Sequence, residues 1–170
     1  MKPTLLIHGV LAAVVASFFS FSATAHSSEE AQVELVGKIK GTQITGVTVS
    51  DKGRVFVSAP NWRDGVHFSV ALVSDNGDFT AYPNSETNSC VAQSKVRKDC
   101  FLAVQSVVAH NEKLYVLDTR NPKFQGVIDA PRVFVVDLAT NKVESALILS
   151  EEAYHPDSYI NDLRLDEKMN

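Results

Sequence analysis

Short runs of alternating apolar and polar residues fill this chain, and turn residues separate them at regular intervals. Residues 44–49 predict a strand, Asp51-Lys52-Gly53 a turn, and residues 54–58 the returning strand. Residues 68–74 and 78–82 predict a second pair around Asp75-Asn76-Gly77, a turn sequence suited to positive φ. The order then recurs. Strands at 104–109 and 113–119 flank His110-Asn111-Glu112, and strands at 132–137 and 142–149 flank Leu138-Ala139-Thr140-Asn141. Residues 159–165 open a third copy. Val49-Ser50-Asp51-Lys52-Gly53 aligns with Val108-Ala109-His110-Asn111-Glu112 across 59 positions, and Leu165 lies 57 beyond Val108.

A fixed period of short strands marks units that bury their apolar faces against copies of one another. Val70-Ala71-Leu72-Val73 and Val133-Phe134-Val135-Val136 are continuous apolar runs, as in strands covered on both faces. The predicted fold class is all-β, each repeat a four-stranded antiparallel propeller blade. A β-sandwich is the alternative, but it gives no reason for the recurrence. Blade 1 spans about residues 40–84, blade 2 about 102–150, and the start of blade 3 about 158–170.

The first 25 residues read as a secretory signal peptide: Lys2, an apolar stretch over 5–21, and Ala23-Thr24-Ala25 before His26. An uncleaved anchor is the competing reading. Cleavage leaves residues 26–170 secreted or periplasmic, with no stable membrane insertion. In that compartment Cys90 and Cys100 read as a disulfide closing a polar loop. Zinc is the rival, without a His or further Cys nearby at ligand spacing. A net charge of −4 with no clustered Lys and Arg gives no nucleic-acid footprint.

Several runs together resemble the major royal jelly protein/yellow family, its bacterial branch above all. They are Gly53-Arg54-Val55-Phe56-Val57-Ser58-Ala59-Pro60-Asn61-Trp62, Tyr82-Pro83-Asn84, Val104-Gln105-Ser106-Val107-Val108 and Leu114-Tyr115-Val116-Leu117-Asp118-Thr119. Val135-Val136-Asp137-Leu138-Ala139-Thr140-Asn141 and Ser158-Tyr159-Ile160-Asn161-Asp162-Leu163-Arg164-Leu165-Asp166 continue the series in family order. The resemblance implies a secreted six-bladed β-propeller. Arg120 departs from it, standing where the family usually has Gly. Length departs further: six blades need roughly 350 residues, and this chain supplies two blades and one strand of a third. The expectation is an incomplete propeller, a fragment or truncated copy prone to self-association through its uncovered faces.

The first strand of each blade lines a propeller's channel, so its polar residues are the candidate ligand groups. They are Gln43 and Thr45, then Gln105 and Ser106, then Asn161 and Asp162, with Asp118 at the end of a second strand. Oxygen-rich side chains converging from several blades suit a small polar ligand, Ca²⁺ or another divalent cation; Asn161 and Asp162 are the metal candidates. The competing role for Asp118, Thr119, Asn161 and Asp162 is capping of loop backbone. Trp62 beside Arg63 offers a binding face, or Trp62 is a packing residue. His155 reads as a solvated loop histidine, and no nucleophile-elbow, zincin, P-loop or dinucleotide motif occurs. No catalytic residue is assigned.

Two functions follow. The first is a non-catalytic propeller binding a small molecule in its channel. The second is an enzyme, a dopachrome-converting tautomerase or metal-dependent lactonase, resting on Asp118, Asn161 and Asp162. A truncated product without activity is the third possibility. Oligomeric state is not legible from the sequence.

Overall fold

The computed structural model describes residues 32–91, 97–166 and 168. The signal-peptide stretch 1–25 and residues 92–96 of the cysteine loop lie outside the described residues. The chain divides into residues 1–33 and 34–170, and every described strand belongs to the second unit.

The fold is all-β. Strands β1 (Gly46–Val49), β2 (Val55–Ser58), β3 (Val70–Val73) and β4 (Phe79–Ala81) form one antiparallel sheet in chain order. Strands β5 (Val104–His110), β6 (Lys113–Asp118), β7 (Arg132–Asp137) and β8 (Lys142–Ile148) form a second sheet of the same order. Among the described residues helix is confined to three single turns, at Ser89–Val91, Pro122–Phe124 and Glu151–Ala153. Turn chemistry sets these hairpins: Gly53, Gly77 and Asn141 hold φ of 77°, 83° and 55°, conformations that Gly and Asn tolerate best.

The repeat is real, but its alignment in the first strand shifts by one residue. Val49 pairs with Val55, whereas Val108 pairs with Tyr115 and Ala109 with Leu114. Three residues, Asp51-Lys52-Gly53, turn the first hairpin; two, Asn111 and Glu112 at φ 47° and 58°, turn the second. The shorter turn makes Ala109 the counterpart of Val49, and one residue of slip sends a side chain to the opposite face. Along β2 and β6 the sequence alignment holds, with Phe56 equivalent to Tyr115.

The core lies between the two sheets. Phe56, Val70 and Tyr82 of the first sheet and its flank meet Val107, Leu114, Val116, Phe134 and Val136 of the second. Phe56 and Tyr82 tilt against each other at 4.8 Å, and Phe101 meets Phe134 edge-on at 5.1 Å. Arg54 closes the outer end of this core. Its guanidinium lies 5.0 Å from the Phe56 ring and 5.1 Å from that of Tyr82, and it donates to Leu138 O and Asn141 Oδ1. Tyr82 Oη donates to the same Asn141 oxygen at 2.8 Å. A second cluster, Val57, Ala59, Val66, Phe68, Ala71 and Val73, occupies the far face of the first sheet.

Residues 159–166 carry no strand, against the expectation of one at 159–165. A blade's first strand pairs with the strand that follows it in sequence, and no described strand follows. Side-chain bonds to β5 hold this segment instead.

Candidate functional site

A bulge organises the site. β5 slips register between Val104 and Ser106, which takes the Gln105 carbonyl out of the ladder. Two hydroxyls from the first sheet satisfy that carbonyl: Thr45 Oγ1 donates at 2.9 Å and Ser58 Oγ at 3.1 Å. Farther along, Ala109 N donates to Thr48 Oγ1 at 2.9 Å. β1 and β5 approach closely at Gly46, where a Cβ would sit 3.2 Å from Val107 N and 2.6 Å from Ser58 Oγ.

The Gln105 side chain continues outward. Its Nε2 donates to Asn161 Oδ1 at 3.0 Å, and its Oε1 accepts from Tyr159 Oη at 2.9 Å. Tyr159 Oη in turn accepts from Trp62 Nε1 at 2.6 Å. The result is a donor-to-acceptor chain from Trp62 to Tyr159 to Gln105 to Asn161. Burial pushes the Tyr159 phenol above its ordinary pKa and keeps it a donor at neutral pH. Phe124 stacks at 4.5 Å from Tyr159 and 5.7 Å from Trp62.

Next to this chain, Ser106 Oγ donates to Asp162 Oδ1 at 2.8 Å. Leu163 N donates to the same oxygen, and Arg164 Nη1 lies 2.6 Å from Asp162 Oδ2. The Ser106 hydrogen bond leads in holding the Asp162 carboxyl below its usual pKa, with Leu163 N–H and Arg164 adding to it. Thr45, Gly46, Thr48, Ser106, Asp162 and Arg164 line an open cleft of about 430 Å³.

The predicted residues therefore divide. Trp62, Gln105 and Asn161 join one hydrogen-bond chain through Tyr159, and Asp162, next to Asn161 in sequence, lines the cleft. Arg63 does not join them: it donates to Gly41 O and lines a separate cleft of about 330 Å³ with His67 and Lys123. Asp118 is fully buried, and its oxygens accept from Leu102 N, Ala103 N and Arg120 N at 2.7, 3.0 and 3.0 Å. That geometry is the backbone-capping role. Gln43 is exposed and takes no part in the bonds just described.

Of the two metal candidates, Asp162 lines the cleft and Asn161 accepts from the Gln105 side chain. Asp162 is the single carboxylate lining the cleft, and a guanidinium already occupies its outer oxygen. A hard cation needs six or more oxygens, roughly, and a net negative surround. No group of three His, Cys, Asp or Glu occurs among the described residues.

Sequence reasoning missed a buried ionic cluster. Arg120, with no exposed surface, pairs with Asp118 and Asp129, and Arg132 pairs with the same Asp129. Cys90 and Cys100 are disulfide-bonded, and the backbone of their loop docks on the two arginines. Arg120 donates to Arg97 O and Cys100 O, and Arg132 to Lys98 O. The signal was present in Arg120, the residue standing where the resemblance calls for Gly: its φ of 54° is the left-handed conformation a Gly would take.

No protein-family model matches this chain, and no curated protein matches it. Among the described residues no helix is long and apolar enough to cross a membrane.

Proposed function

We propose that this chain is an exported, yellow-like propeller segment that binds a small polar molecule at its channel face, without catalysing a reaction. The observation that carries this reading is the makeup of the cleft. Thr45, Ser106 and Asp162 come from the innermost segments of three successive repeats, yet line one cavity. Hydroxyls, a carboxylate and a guanidinium in one open cleft suit a neutral or zwitterionic ligand bearing both donors and acceptors.

The proposed channel wall is the row β1, β5 and 159–166, each linked to the next by the side-chain bonds described above. The disulfide fits an oxidising compartment. An enzymatic reading draws no support from Asp118, whose carboxylate is spent on backbone N–H groups and Arg120.

Amide chemical shifts recorded while small hydroxylated and amino compounds are titrated test the proposal. A binder moves the signals of Thr45, Ser106 and Asp162 together, and Asp162→Ala abolishes the response. Binders that shift only residues outside the cleft would overturn it.

A further inference from the structure

The interface between the two sheets identifies its own missing partners. Phe56 and Leu72, which face each other across β2 and β3, point from the first sheet toward the second. Their counterparts by register are Tyr115 and Val135, which lie on the far face of the second sheet. Conversely, Leu114, Val116 and Phe134 form the surface that covers the first sheet. Their counterparts are Val55, Val57 and Ala71, on the far face of the first sheet. Each outer face is thus the repeat-equivalent of a face already buried between the sheets.

Both outer faces remain partly open. Val47 and Val49 on the first are 64% and 55% exposed, and Leu147 on the second is 59% exposed. Residues 36–44 cover part of the first face through Ile39 and Ile44, leaving an apolar cleft of about 210 Å³ that Val47, Val55 and Phe79 also line.

We propose that a second copy of this chain docks there, the far face of its first sheet against the far face of the second sheet. The contact is continuous with the internal interface and repeats its geometry. It joins two different surfaces, so it is heterologous and leaves each new copy with one face free. The proposal rests on the sheet stacking within the reading above and is independent of the ligand site.

Sedimentation velocity of the full chain across a wide concentration range tests it. The wild type gives species that grow beyond a dimer. Val49→Lys blocks one face and Leu147→Lys the other; both side chains are already exposed, so circular dichroism stays native. Each variant alone loses the growth and stops at monomer. Mixed, they restore a one-to-one heterodimer through the face each retains. A wild type that stays monomeric, association surviving both substitutions, or a mixture that fails to pair would each overturn the proposal. Loss of ligand binding with assembly intact would sink only the channel reading.

Discussion

Arg120 returns to Asp118 twice, through its own backbone N–H at 3.0 Å and through its guanidinium at 3.3 Å. The left-handed backbone at Arg120 allows this, folding the side chain back over the carboxylate two residues earlier. Burial opposes the charge on Arg120, but Asp129 and Asp118 outweigh it, and its pKa rises. Arg120→Ala removes the guanidinium from Asp118, leaves Asp129 with Arg132, and frees the Arg97 and Cys100 carbonyls of the disulfide loop. We expect a loss of about 3–5 kcal/mol in chemical denaturation, the usual cost of breaking a buried pair. Arg120→Gly relieves the backbone and should still lose most of that.

The second hairpin turns on a non-glycine residue in the left-handed region. Glu112 at φ 58° carries strain of roughly 1–2 kcal/mol, while its exposed pair with Lys52 is worth at most about 1 kcal/mol. Strain is the larger quantity. Glu112→Gly should therefore raise the thermal midpoint slightly, and a lowered midpoint would show that the ion pair dominates.

Tyr159 connects Trp62 to Gln105 through its hydroxyl. Tyr159→Phe keeps the stacking with Phe124 and removes both hydrogen bonds. A loss of about 1–3 kcal/mol is expected, with Trp62 fluorescence shifting as its indole N–H turns to water. An unchanged emission spectrum would show that the chain does not form in solution.

Lys113 donates to both Asp137 and Glu144, at 2.7 and 2.6 Å. The Lys113 hydrogen bond, joined by Thr140, holds the Asp137 carboxyl far below its ordinary pKa. A depressed carboxylate stabilises the fold above its unfolded pKa, near about 3.9, and loses that contribution as pH falls toward the folded value. Lys113 is raised by the same partners, Asp137 first, so its contribution holds below about 10.4 and fades as pH climbs toward the folded value. Stability should plateau between these limits and fall on both sides. Asp137→Asn should flatten the acid limb in urea titrations, and an unaltered limb would assign it to other carboxylates.

The eight strands of the two sheets and their order were legible in the sequence, because period-two alternation and residues such as Gly53, Gly77 and Asn141 act locally; the strand expected at 159–165 did not form. The Cys90–Cys100 pairing was legible too, from spacing and compartment. Tertiary structure alone decided the fate of the polar candidates. Asp118 and Asp162 look alike as carboxylates near strand ends, but one faces inward N–H groups and the other an open cleft. A one-residue difference in turn length also decided that Val49 and Val108 face opposite ways, although their flanking sequences match. Alternation fixes which residues share a face; only packing of one sheet on another fixes what that face meets.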